Sequence, residues 1–228
     1  MNESDDKDRV LVLGSKPDAI FPDLVPRHIY TANAAMMLAQ RYEGAETRLT
    51  AVLTSEFWDN PEYQAVFREA APARVVVRRT KTRSEPLLRE LFPASELILL
   101  TEAEQFAWQR RVLGNRIFLA EAYYKHRLKG QLRRLLTTAW QRKALGLSTG
   151  GYAMLLAAHE NPEATVIVAG IGVRGGGHFM KHSGKQHGRR ARVDAWMLQR
   201  LPQELKRRLV TTDCELAQDI GIALYNGS

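Results

Sequence analysis

Thr165-Val-Ile-Val-Ala-Gly-Ile-Gly172 is the clearest strand in the chain, and its reading decides the fold. Its apolar residues run almost without interruption and stop at glycine. A strand that shows no polar alternation is covered on both faces, as in the interior of a parallel sheet. The same grammar recurs on either side of it. VLVLG at 10–14, HIYTAN at 28–33, LTAVLTS at 49–55, ARVVVRR at 73–79, ELILLT at 96–101 and RLVTT at 208–212 are short apolar runs bounded by turn residues. Helical patterns fall between them. An Ala/Met-rich helix is predicted over 34–42 and another from Pro61. Helical periodicity runs from Glu102 to Arg142 with a break at Gly114-Asn115, a helix follows Ser148-Thr149-Gly150, and one more spans Val193 to Arg207. Strand–helix alternation of this kind predicts an α/β fold. We expect a single, mostly parallel, Rossmann-like sheet with helices on both faces. One domain spans 1–228, with 102–145 inserted as a basic helical lid or subdomain. No internal repeat or low-complexity block interrupts it.

The 228 residues suffice for one large core, and 45% hydrophobic content is that of an ordinary globular chain. The single cysteine, Cys214, has no intramolecular partner, which points to a reducing compartment. The polar start MNESDDKDR lacks the apolar run of a signal peptide, and nothing approaches the roughly 20 apolar residues of a membrane span. A cytoplasmic location is expected. The net charge of +8 favours acidic partners. Its excess is local. From Arg110 to Lys143 ten basic residues stand against one acid, Glu121.

In α/β sheets of this type ligands bind beyond the carboxyl ends of the strands, so turns after strands are the places to look. Gly14, Ser15 and Lys16 follow the first strand, where backbone N–H groups and a lysine can face a phosphate. The spacing is that of neither a P-loop nor a dinucleotide fingerprint; a plain turn is the simpler reading of this piece alone. Asn33 stands where a strand hands over to a helix, as an N-cap or as an amide that pairs with a nucleoside. Ser148 or Thr149 caps a helix whose first turn holds two glycines, Gly150 among them, which makes either an anion cradle or a close-packed helix start. Gly170 and Gly172 end the 165–172 strand.

Beyond them lies a glycine-rich, basic segment with three of the six histidines, His178, His182 and His187. Metal binding is disfavoured there, because no acidic or cysteine ligand interleaves the histidines and Lys181, Lys185, Arg189 and Arg190 would repel a cation. A general base is the better assignment, since a neutral imidazole accepts the proton of an attacking hydroxyl.

Taken in order, these pieces resemble the bacterial sialyltransferases. Those enzymes have a first strand ending in a G-N-G-P-S-like turn, an Asn at the end of the next strand, S-[ST]-G at a helix start, a strand ending G-[IF]-[DG], and a His ahead of the last long helix. This chain has Gly14-Ser15-Lys16-Pro17, Asn33, Ser148-Thr149-Gly150, Gly170-Ile171-Gly172 and His187. The match covers almost the whole chain, while 56–145 adds no motif. The resemblance implies a glycosyltransferase that moves a keto-acid sugar, of the sialic acid or Kdo type, from a CMP donor to a glycan or glycolipid acceptor. Gly14, Ser15 and Asn33 would hold the nucleotide, Ser148, Thr149 and Gly150 the cytidine and carboxylate ends of the donor, and His187 would deprotonate the acceptor, with His182 its rival. Ser15 and Lys16 replace the family's Asn and second Gly. Its phosphate-binding tyrosines have no counterparts here, leaving Lys16, Lys181 and Arg189 for that task. No cofactor is implied.

Two further readings bear on partners. Donors that leave as diphosphates usually need a cation held by an Asp-x-Asp pair; no such pair stands at a strand end here, which fits a metal-independent monophosphate donor. The basic 110–143 stretch, interleaved with Trp108, Phe118, Tyr123, Tyr124 and Trp140, suits peripheral contact with an anionic membrane surface, or else amphipathic helices with a solvated basic face. Its charge also supports the leading alternative, a nucleic-acid-binding α/β protein, although no helix-turn-helix, zinc-finger or aromatic RNA-reading signature accompanies it.

Overall fold

The computed structural model describes residues 9–42, 44, 46–54, 58, 60–78, 80, 84–113, 147–174 and 194–227. Among them, eight parallel strands form one sheet in the order β5-β4-β3-β2-β1-β6-β7-β8. They are β1 Arg9–Leu13, β2 His28–Ala32, β3 Arg48–Thr54, β4 Arg74–Arg78, β5 Glu96–Leu100, β6 Thr165–Ala169, β7 Leu209–Thr211 and β8 Ala223–Leu224. This is the Rossmann-like α/β arrangement that the apolar runs predict. Register follows the pleat: Leu11 lies between Ile29 of β2 and Ile167 of β6.

The chain moves from β1 outward to β5, then returns to the other side of β1 and proceeds to β8. Crossovers between parallel strands are right-handed, so reversing direction transfers the connecting helices to the opposite face. Over β2–β5 the connections are a 3₁₀ helix, Asn33–Tyr42, with α1 Pro61–Ala70 and α2 Glu85–Leu91. They cover Ala51, Leu53, Val75 and Val77 on one face. The other face carries α3 Glu102–Leu113, α4 Thr149–Glu160, a helical turn at 194–198, α5 Gln203–Arg208 and α6 Cys214–Ile220. Val10, Val12, Tyr30, Val52, Val166 and Val168 pack there. Residues alternate between these faces, as the two-residue period of a strand requires.

α4 is the central helix. Its sequence, TGGYAMLLAAHE, is apolar around most of its circumference, and nine of its twelve residues are buried. A helix with that composition belongs inside. Both ends are tied down. At its start Arg78, itself buried, donates from Nη2 to the Leu147 carbonyl at 2.5 Å and lies over the Tyr152 ring at 4.7 Å. At its end Arg208 donates to the Ala158 and Asn161 carbonyls. There the Glu160 carboxylate also takes the Tyr30 hydroxyl at 2.6 Å and pairs with Arg74.

Several elements differ from the sequence expectation. The 34–42 helix is a 3₁₀ helix. The helix expected over 193–207 is two pieces, because Pro202 supplies no N–H and restrains the residue before it. α2, α6 and β8 were not expected. Residues 114–146 lie outside the described residues, so of the expected 102–145 insertion the structure describes α3 alone. Among the described residues no helix is long and apolar enough to cross a membrane.

Candidate functional site

The strand order reverses between β1 and β6, so the chain leaves these neighbours in opposite directions at their carboxyl ends, the place where ligands bind in open α/β sheets. Gly14 and Gly170 face each other there. The Gly14 N–H donates to the Ala169 carbonyl at 2.8 Å, and the Lys16 N–H donates to the Gly170 carbonyl at 2.9 Å. A Cβ on residue 14 would lie 2.1 Å from the Gly170 oxygen. Gly170 has φ +71, and a Cβ there would lie 2.7 Å from the Gly14 oxygen. Two glycines let the turns cross at backbone contact.

The start of α4 meets the same place through Ile171. A Cβ added at Gly150 would stand 3.2 Å from the Ile171 side chain. Ser148 is the N-cap, its Oγ accepting from the Gly151 N–H at 3.1 Å. The Ser148 N–H donates to Asp194 Oδ1 at 2.9 Å, and Asp194 is only 2% exposed. With those groups engaged, Thr149 and Gly150 hold the remaining first-turn donors. Gly14, Gly170, Ile171 and Gly150 thus form a continuous chain of contact, bringing three of the expected motifs together.

Asn33 lies at the carboxyl end of the next strand, β2. Its φ of 52 is left-handed, a conformation Asn tolerates better than most side chains. Its Oδ1 accepts from the Thr54 N–H at 3.1 Å, tying the ends of β2 and β3 together. Neither an ordinary N-cap nor a free amide describes it fully, since the carbonyl half is engaged.

Lys16 is placed differently from its sequence reading. Its ammonium lies 2.5 Å from Asp213 Oδ2 and 3.3 Å from Glu215 Oε2. The Asp213 hydrogen bond holds the Lys16 pKa above the usual lysine range. Burial pushes the Asp213 carboxyl up, but the Lys16 hydrogen bond and the backbone N–H groups of Leu216 and Glu215 outweigh it and hold it below the usual carboxylate range. Glu215 also meets Arg174 at 3.5 Å, and Arg174 pairs with Asp219 at 2.7 Å. Gly172 lies under the lysine stem, its added Cβ 3.7 Å from Lys16 Cδ.

His187, His182, Lys181 and Arg189 lie outside the described residues. Three side chains of the site escaped sequence reading. Asp194 is one acid in a basic stretch, and only its burial marks it. Asp213 carries an N-cap signal, Thr-Thr-Asp before an apolar-periodic run, that was legible. Arg174 has no local signal. A separate cavity of about 660 Å³, lined by Arg9, Ile20, Asp23, Leu224 and their neighbours, shares no residue with these turns. Compared with protein-family models, curated proteins and solved structures, the chain finds no match.

Proposed function

We propose that this chain is a glycosyltransferase that moves a keto-acid sugar, of the sialic acid or Kdo type, from a CMP donor to a glycan or glycolipid acceptor. The observation that carries the reading is the convergence of the Gly14–Lys16 turn, the Gly170–Gly172 turn and the Ser148–Gly150 helix start at the point where strand order reverses, with Asn33 at the end of the adjoining strand. These are the segments whose order resembles the bacterial sialyltransferases, and their meeting at one sheet edge is what a shared nucleotide site requires.

In this mechanism the acceptor hydroxyl gives its proton to a histidine, His187 in the first instance and His182 as the rival. The freed oxygen forms a bond to the anomeric carbon as the bond from that carbon to the CMP phosphate breaks. Backbone donors at strand and helix ends stabilise the charge on the departing phosphate. The monophosphate leaving group suits a site without a metal pair. Replacing His187 by Ala lowers turnover at least about 100-fold if it is the base; unchanged turnover moves the role to His182.

The test is donor hydrolysis with CMP-sialic acid and CMP-Kdo side by side, preceded by thermal shifts with CMP, CDP, NADPH and an oligonucleotide. Stabilisation by CMP alone supports the reading, because a ligand that binds only the folded state raises its melting temperature. Stabilisation by the oligonucleotide alone, with no hydrolysis of either donor, replaces it with nucleic-acid binding.

A further inference from the structure

Lys16 does not project from the switch point but lies along it. Its stem passes Gly172 and its ammonium ends on α6, against Asp213 and Glu215. Asp213 serves two partners at once. Its Oδ1 accepts from the Glu215 and Leu216 N–H groups at 2.8 and 3.1 Å, capping α6, while its Oδ2 takes the Lys16 ammonium. Glu215 is shared with Arg174, which also pairs with Asp219. Two cations and three carboxylates therefore stand together beside the Gly14–Lys16 and Gly170–Gly172 turns, a net charge of −1 (two minus three). An anion that reaches these turns meets the first-turn N–H groups of Thr149 and Gly150, but the ammonium of Lys16 beside it is already held by carboxylates.

We infer that Asp213 limits the anion affinity of these turns: it keeps Lys16 on the α6 side, and a bound phosphate gains that ammonium only by drawing it away from Asp213. The inference rests on the proposed nucleotide site for the identity of the anion, though the competition itself is a matter of charge. It implies that Lys16 adds little to the affinity for a phosphate while Asp213 holds it.

Asp213→Asn separates charge from cap, because Asn is as good an N-cap as Asp and α6 keeps its start. The full chain is titrated calorimetrically with CMP, cytidine and inorganic phosphate. CMP is expected to bind about tenfold more tightly to D213N, the effect of freeing the Lys16 ammonium to approach within roughly 6 Å of the phosphate at an intermediate effective dielectric. Cytidine affinity stays within about twofold, and adding Lys16→Met abolishes the gain. Glu215→Gln, on the exposed side of the same pair, gives a smaller gain in the same direction and serves if D213N does not fold. Equal CMP affinity in variant and wild type, whether measurable or absent in both, overturns the inference, as does a gain shared by cytidine. Tighter CMP binding with no hydrolysis of a CMP-sugar keeps it and removes the transfer reading. Hydrolysis of a donor by a protein whose CMP affinity ignores D213N does the reverse.

Discussion

Replacing Gly14 by Ala tests the geometry on which the site depends. The new Cβ would stand 2.1 Å from the Gly170 oxygen, 2.5 Å from its carbonyl carbon and 2.6 Å from Ile171 Cγ1. Comfortable contact between such atoms is about 3.5 Å, so the ends of β1 and β6 must separate by roughly an ångström. The first two obstacles are backbone, and no rotamer change relieves them. Separation breaks the Gly14-to-Ala169 and Lys16-to-Gly170 hydrogen bonds, and each buried backbone group left unpaired costs about 1–3 kcal/mol. The substitution therefore removes about 3–5 kcal/mol, a large share of a typical folding free energy. At this chain length it lowers the melting temperature on the order of 10 °C. Gly170→Ala should follow closely, since a left-handed φ of +71 adds about 1–2 kcal/mol for a side-chain-bearing residue. Gly172→Ala is the control. Among the described residues its Cβ meets a lysine methylene alone, at 3.7 Å, and stability stays within about 0.5 kcal/mol. Urea and thermal unfolding of the three variants read the series. Gly14→Ala and Gly172→Ala of equal stability would show that the two strand ends do not meet as described.

Two further perturbations probe other parts of the molecule. Burial first, and then the Arg74 charge, hold the His28 pKa down to about 4, so below pH 6.5 the unfolded chain takes a proton that the folded chain refuses. Stability should be level above pH 6.5 and decline towards pH 4, by on the order of 1 kcal/mol at pH 5 after discounting for partial exposure; His28→Gln removes this part of the decline in a pH series of melting curves, and an unaltered profile refutes it. At Asn33, Asp keeps both the left-handed tolerance and the acceptor for Thr54 N–H, so N33D stays within about 1 kcal/mol of wild type while N33A loses about 1–2; if the amide N–H₂ also serves the nucleotide, N33D nevertheless weakens CMP binding in a thermal-shift titration, and unchanged binding assigns Asn33 to the fold alone.

How much of this was readable in advance depended on range. β1 through β6 are apolar runs of five to seven residues between turn residues, and a local pattern suffices to find them. β8 is two residues, Ala223–Leu224, both exposed, and is a strand only because β7 lies beside it. The break at Pro202 was legible but hidden within a longer helical periodicity. For the site, the glycines were visible as turns, but their meaning is mutual. Gly14 and Gly170 are needed because each occupies the other's Cβ space, and a one-dimensional pattern does not pair them. Lys16 shows the same limit more sharply. Its sequence context, a lysine after a strand-ending glycine, suggests a ligand contact, whereas its partner Asp213 lies 197 positions away.

The two ends of α4 allow the contributions to fold and site to be separated. At the end remote from the switch point, Arg208 donates to the carbonyls of Ala158 and of the C-cap residue Asn161; at the near end, Asp194 accepts the Ser148 N–H beside Thr149 and Gly150. Each contact is a charge-assisted hydrogen bond, of order 1.5–3 kcal/mol, so Arg208→Met and Asp194→Ala are expected to lose comparable stability. They differ in what they loosen. Nine buried residues hold the body of the helix in place, which confines the disturbance in each variant to its own end. Under the nucleotide reading, CMP titrations at a temperature where both variants are fully folded should find Arg208→Met within about twofold of wild type and Asp194→Ala weaker by about fivefold or more, the loss of roughly 1 kcal/mol of orientation at the first turn. Equal weakening by both variants would mean that α4 moves as a rigid rod and that its first turn has no separate part in binding.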